Sequence, residues 1–134
     1  MEKIIINNIE IGTLSHLNGC WEAKPSSDEV CRFVKKEEAE LYLKQVHEIE
    51  SSMGKIKDAL KKHHSITDVK KIQVNDFEED GAVFVLSGKL EDIEVLIELW
   101  AKDYCIDVYP KDTARWDETV FRGTLLMEDK DGNR

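Results

Sequence analysis

The sequence predicts an α+β fold in which an antiparallel sheet of several hairpins, arranged like a meander, packs against one long amphipathic helix. Three patterns predict it: alternating segments broken by a tight-turn signal near the N-terminus, a helical stripe of apolar residues over 35–64, and an apolar run over 93–110. With 134 residues, 41% hydrophobic and 35% charged, the chain has the size and composition of one soluble domain, 1–134. Its polar end, 128–134, is expected to be a frayed tail.

The N-terminal segment is predicted to form strands rather than a secretion signal, because its apolar runs are short and no small-residue cleavage pattern follows them. The isoleucine-rich stretch 4–11 alternates towards its end. Asn18-Gly19 is a strong turn signal, since both residues tolerate positive φ, and it would fold 20–23 back on 13–17. A loop is then predicted over 24–28. Residues 30–34 fit either a short strand or the lead-in to a helix, and the strand is favoured.

The clearest helix prediction runs from Lys35 to about His64. Apolar residues recur there three and four positions apart and line one face: Ala39, Tyr42, Val46, Ile49, Met53, Ile56 and Leu60. Gly54 lies inside the segment, costs about 1 kcal/mol relative to alanine, and marks either a bend or a division into two helices. The stripe also permits coiled-coil pairing, but packing on the chain's own sheet is favoured because the repeat is short.

The second half of the chain is predicted to return to strands. An alternating segment, 71–74, precedes an acidic turn at 79–81, and 82–86 has the continuous apolar character of a buried strand. Gly88–Asp92 is predicted to be a turn, and Thr119–Met127 the last strand.

The apolar run Ile93–Ala101 fits both a strand and a helix, and a strand is favoured. Lys102-Asp103 can then serve as a tight turn that keeps a consistent register. The inner face of this hairpin would carry Ile93, Val95, Ile97, Leu99, Ile106 and Val108. The outer face would place Glu98 opposite Asp107, beside Trp100. Opposed like charges beside an aromatic ring resemble the anchor and acid of a binding surface. The alternative is that the helix covers this face and a lysine neutralises the pair.

Charge is concentrated in one segment of an acidic chain. The net charge is −9, and ten acidic residues face only Lys89 and Lys102 between positions 76 and 107. Such a field repels nucleic acid and anionic membranes and attracts basic proteins. The alternative is a solvated acidic surface that only aids solubility. The candidate partner-binding residues are Glu78, Glu79, Asp80, Glu94, Glu98, Trp100, Asp103, Asp107 and Trp116.

Motifs for catalysis, metals and membranes are not recognisable in the sequence. The best metal candidates, His16, Cys20 and Cys31, lack ligand spacing, so no metal or cofactor is expected. No nucleophile elbow or phosphate-binding glycine loop is present, and an enzyme is not predicted. The odd number of cysteines, which includes Cys105, indicates reduced thiols in a cytoplasm. The apolar runs fall short of the roughly 20 residues that span a bilayer.

Two segments carry a resemblance to a known class of proteins: FEEDGAVFVLSG, 77–88, and LIELWAKDYCIDVYPKD, 96–112. With these acidic and aromatic strands, the chain resembles the bacterial immunity proteins that neutralise polymorphic or contact-dependent growth-inhibition toxins. The resemblance implies a cytoplasmic, non-catalytic inhibitor. Its acidic surface would cover the active or substrate-binding site of a basic, nuclease-like toxin domain.

Two other classes of function compete with this expectation. A DNA mimic that inhibits a nucleic-acid-binding protein would need carboxylates spaced like phosphates, whereas these acids cluster at predicted turns. A structural or assembly subunit would form a homodimer through the helical stripe, and Met53→Asp would break it.

Overall fold

The computed structural model of the chain describes residues 1–26, 30–78, 81–111 and 119–127; over 73–78 the description covers the backbone. Within these ranges the chain forms two antiparallel sheets and two helices, which confirms the α+β class. In chain order the elements are β1 (Glu2–Ile6), β2 (Ile9–Leu17), β3 (Cys20–Pro25), β4 (Cys31–Phe33), α1 (Lys36–Ser51), α2 (Met53–His64), β5 (Ile66–Glu78), β6 (Gly81–Leu90), β7 (Ile93–Trp100), β8 (Cys105–Pro110) and β9 (Phe121–Thr124).

The N-terminal sheet has the order β1-β2-β3-β4, and two-residue turns join β1 to β2 and β2 to β3. The turn predicted at Asn18-Gly19 is confirmed, with φ of 53° and 80°. Asn7 and Asn8 form a second turn of the same kind, with φ of 52° and 67°. Two consecutive residues with positive φ give a twist that matches that of the flanking strands, which is why asparagine and glycine occupy these positions.

The C-terminal sheet is a continuous meander, β5-β6-β7-β8-β9. The run at 93–101 is a strand, as predicted, and β9 lies inside the predicted last strand. The predicted turn Gly88–Asp92 was too long, because β6 continues to Leu90 and only Glu91 and Asp92 form the turn. Glu91 adopts a φ of 58°, so the sharp reversal needs no glycine.

The prediction of one long helix was wrong, because the segment breaks at Ser52. Ser52 has φ of −98° and ψ of 4°, outside the helical range, and its N–H donates to Glu48 O at 2.9 Å. The second helix begins at the next residue, Met53. The break therefore lies two residues before Gly54, the position where the sequence predicted a bend or division.

The prediction of a single sheet was also wrong, because α1 lies between two sheets and contacts strands of both. Leu43 packs so closely on β2 that a Cβ at Gly12 would lie 2.7 Å from its Cδ2. Two positions along, on the opposite side of the helix, Gln45 Oε1 accepts a hydrogen bond from Ala82 N of β6 at 2.7 Å. The second helix packs on β5. Consequently α1 buries two faces, of which the predicted stripe describes one.

Candidate functional site

The candidate site is the face of the C-terminal sheet that points away from the helices. The predicted hairpin register is confirmed: Leu99 pairs with Ile106, Ile97 with Val108, and Glu98 with Asp107. The inner face is buried as predicted, except that Ile93, at the start of β7, is 54% exposed. The expected burial of that residue was wrong.

Two of the candidate acids on the outer face are buried rather than accessible. Glu98 is only 4% exposed and Asp107 only 1%. The sequence placed them correctly on the outer face and opposite each other, but the exposed acidic pair that it led us to expect is not found. Buried carboxylates require nearby charge or hydrogen-bond donors, because transfer of an anion out of water costs far more than burial of a neutral group.

Arg122 supplies one such charge from the neighbouring strand. It pairs with Asp107 in the β8–β9 register, and its Nη2 lies 3.2 Å from Asp107 Oδ2. The guanidinium remains in contact with water, since the Arg122 side chain is 65% exposed. Arg122 was not among the candidate residues predicted from the sequence. The sequence did place Arg122 in the predicted last strand, Thr119–Met127. It did not show that this strand pairs with β8, which is what brings Arg122 next to Asp107.

A cleft of about 400 Å³ opens beside this ion pair. It is lined by Trp100, Lys102, Asp103, Cys105, Ile106, Asp107, Arg122 and Gly123. We call it the Trp100 cleft. Its two acids and two bases make the lining charge-balanced overall, with the Trp100 indole as the large apolar surface. Asp103 is the exposed acid of the set, whereas Asp107 is buried at its base.

The turn between β7 and β8 contributes Lys102 and Asp103 to the lining of the cleft. This turn spans 101–104 and is therefore longer than the predicted two-residue turn Lys102-Asp103. Asp103 Oδ1 accepts a hydrogen bond from Cys105 N at 3.0 Å, which fixes its carboxylate. Tyr104 closes the turn with a φ of 58°, and its N–H donates to Trp100 O at 2.9 Å. Positive φ is uncommon for a bulky side chain and is retained only where surrounding contacts enforce it.

Tyr104 also ties the cleft to the junction of the two helices. Its phenol lies close to the side chains of Ser52 and Glu48. Burial raises the pKa of the Tyr104 phenol above 10.0, the Ser52 hydrogen bond opposes that rise, and the Glu48 carboxylate adds to it. The β7–β8 turn, which contains Asp103, therefore lies against the point where α1 ends and α2 begins.

The structure separates the candidate partner-binding residues into distinct groups. Glu98, Trp100, Asp103 and Asp107 come together around the Trp100 cleft. Glu94 lies at the other end of β7, about 20 Å from Trp100 at the usual rise of a strand, and its Oε2 is 3.9 Å from Lys111 Nζ. Glu78 is the last residue of β5. Glu79, Asp80 and Trp116 lie outside the described residues.

Among the residues that the structure describes, no group of three or more His, Cys, Asp or Glu side chains could hold a metal ion. Cys20, Cys31 and Cys105 are free thiols, and Cys105 Sγ lies 3.8 Å from Thr124 Oγ1. In the part of the chain that the structure describes, neither helix, α1 or α2, is long and apolar enough to cross a bilayer.

Comparison of the chain with protein-family models, with curated proteins and with solved structures finds no match.

Proposed function

We propose that this protein is a non-catalytic inhibitor that binds a basic protein partner, in the manner of an immunity protein that covers the active or substrate-binding site of a toxin. The Trp100 cleft is the observation that carries the proposal. It combines a half-buried indole with an exposed carboxylate, Asp103, on a turn that is anchored at both ends. Aromatic anchors in pockets with adjacent charges are the usual centres of binding energy in protein interfaces.

The cleft would receive one basic side chain of the partner. Lysine or arginine stacked on the Trp100 indole would gain about 0.5–2 kcal/mol from the ring quadrupole. Asp103 would pair with its charge, because this carboxylate is exposed while Asp107 is already engaged by Arg122. The net charge of −9 would speed the encounter and make association sensitive to salt.

The two competing functions make different demands on the structure. An assembly subunit that dimerises through the helical stripe would need that stripe exposed, yet Ile49, Ile56 and Leu60 are each 0% exposed within a single chain. A DNA mimic would need a continuous row of accessible carboxylates. Two of the acids expected in such a row, Glu98 and Asp107, are buried. The protein-binding function therefore fits the described surface better than either alternative.

Affinity capture tests the proposal. The purified chain would be used as bait at low and high salt, in parallel with Trp100→Ala and Asp103→Asn. We expect the wild type to retain a basic protein at low salt, high salt to release it, and both variants to lose it. Asparagine keeps the oxygen that accepts from Cys105 N, so Asp103→Asn removes charge without removing the turn's hydrogen bond. A partner retained equally by all three baits would overturn the proposed site.

A further inference from the structure

A second cleft lies at the far end of the same outer face and, unlike the charge-balanced Trp100 cleft, has more basic than acidic residues in its lining. Its volume is about 380 Å³. The residues that give it charge and polarity are Asp68, Lys70, Ser87, Lys89, Glu94 and Lys111. We propose that this lysine cleft binds the phosphate group of a small soluble ligand. It is separate from the Trp100 cleft, and the two share no lining residue.

A β-bulge brings the first lysine to this face. Thr67 pairs with Lys89, but the next pair is Lys70 with Ser87, so β5 carries one residue more than β6 in this interval. Asp68 adopts a φ of 54° inside the bulge. As a result Val69 is buried, with 7% exposure, while Lys70 stands on the outer face. Without the bulge, Val69 would lie opposite Ser87 in place of Lys70. Bulges near functional sites commonly change the direction in which a side chain points.

The other two lysines are placed by the ordinary register. Lys89 pairs with Glu94 across β6 and β7. On the other side of Glu94, the Lys111 N–H donates to Glu94 O at 3.0 Å, and this backbone bond extends the β7–β8 ladder by one residue. One carboxylate thus lies between two ammonium groups that come from different strands. Its ion pair with Lys111 is long, at 3.9 Å, and both side chains are more than half exposed.

The charge balance of the lysine cleft favours an anionic ligand. Three lysines face Asp68 and Glu94, which leaves a net positive charge in a chain whose total is −9. Among the residues that the structure describes, neither Lys70 nor Lys89 makes a salt bridge. Asp68 and Glu94 together leave one of the three ammonium groups without a compensating carboxylate, so the site attracts an additional negative charge. Exposed ion pairs of this kind contribute little to stability, so stabilisation of the fold is a weak explanation for the cluster.

A phosphate group fits this arrangement better than a carboxylate. Lysine binds phosphate as a point charge with three donors. Three such groups converging from separate segments suit a multiply charged anion with oxygens in several directions. The Ser87 hydroxyl, half-buried in the lining, adds a further donor. Acetate, with one charge and two oxygens in one plane, would engage fewer of these donors.

Titration of the full chain with inorganic phosphate, pyrophosphate and acetate, followed by amide chemical shifts, tests the proposal. We expect saturable shifts for residues around Ser87 and Lys111 with phosphate and larger affinity with pyrophosphate. Acetate should bind at least tenfold more weakly. The double variant Lys70→Gln/Lys89→Gln should weaken pyrophosphate binding by at least tenfold. Lys44→Gln on α1, which also removes an exposed lysine, should leave it unchanged.

Several results would overturn the lysine cleft as a phosphate site. They are absence of saturable shifts in the wild type, equal affinity for acetate and phosphate, and unchanged binding by the double variant. A thermal unfolding scan of each variant without ligand separates loss of binding from loss of folding. Capture of a basic partner through Trp100 is unaffected by any of these outcomes, because the two clefts lie at opposite ends of β7.

Discussion

Glu98 and Asp107 face each other across β7 and β8 with both side chains buried, and Arg122 on β9 meets Asp107 at 3.2 Å. Like charges so arranged destabilise a sheet unless a cation offsets them. We expect Arg122→Met to reduce the free energy of unfolding by about 1–3 kcal/mol, because it would leave the buried Asp107 carboxylate without its cation. Urea denaturation at neutral pH measures the change.

Arg32 offers a matched control for that substitution. Its Nε lies 2.9 Å from Glu22 Oε2, which is shorter than the Arg122 pair, but Glu22 is 25% exposed where Asp107 is 1%. Arg32→Met should therefore cost only about 0–1 kcal/mol, as is usual for surface pairs. Equal losses for the two variants would show that burial of Asp107 does not strengthen its dependence on Arg122.

Gly54 in the first turn of α2 is a site for stabilisation. A Cβ at this position meets no atom within 4 Å, and the residue is exposed. Alanine restricts the unfolded chain and favours the helix, so Gly54→Ala should raise the free energy of unfolding by about 0.5–1 kcal/mol. Thermal or urea unfolding would reveal it. A destabilised variant would mean that the helix junction needs the freedom of glycine.

Gly81 at the start of β6 should respond in the opposite direction. Its φ is 143°, and a Cβ would lie 2.3 Å from Gln45 Nε2. Gln45 would have to move, and Ala82 N would lose its buried acceptor. We expect Gly81→Ala to destabilise the fold by about 2–4 kcal/mol through backbone strain and the lost hydrogen bond. A free energy of unfolding within about 0.5 kcal/mol of the wild-type value would contradict the close approach of α1 to β6, because differences of that size are common for surface substitutions.

His64, the last residue of α2, should make stability depend on pH. Its ring lies 4.4 Å from that of Phe121, and burial, with a further contribution from His63, lowers the pKa of His64 below 6.5. The unfolded chain therefore takes up this proton at a higher pH than the folded chain does. Stability should fall as pH drops through 6.5. His64→Gln should flatten that slope in urea unfolding curves measured across the window, and parallel slopes would refute the assignment.

The strand pattern predicted the local structure of the C-terminal hairpin well. Alternation has a period of two, so one buried face determines which residues pair, and the Glu98–Asp107 register followed from it. Ile93 was predicted to be buried because alternation identifies the face of the sheet on which a residue lies. Alternation does not show how close that residue is to the end of its strand. The strand ends at that residue, where solvent reaches the inner face.

The arrangement of the elements was not encoded in the same patterns. Strand periodicity does not say which hairpins join one sheet, and the separation of β1–β4 from β5–β9 arises because α1 buries two faces. Leu43 and Gln45 lie off the apolar stripe, so the second face was not recognised. The stripe also continues without interruption through Ser52, and this continuity concealed the break between the helices.

The sequence predicted which face of the sheet carries the candidate site, but not which of its side chains are exposed. Sequence placed Trp100, Glu98 and Asp107 on one face, but the two acids are buried, and Asp107 pairs with Arg122 of β9, whose pairing with β8 the sequence does not predict. Glu94 was grouped with the acids, although its cross-strand neighbours include Lys89 and Lys111. An acidic segment in sequence therefore becomes two clefts of different charge in the fold.

The most direct test of the proposed function is the dissociation constant of the captured partner for Asp103→Asn and for Asp92→Asn. Both substitutions remove one exposed carboxylate from a turn, but Asp92 lies in the β6–β7 turn at the opposite end of the sheet. We expect Asp103→Asn to raise the dissociation constant at least tenfold and Asp92→Asn to change it less than twofold. Equal changes for the two variants would show that binding depends on overall charge and would contradict the Trp100 cleft as the partner site.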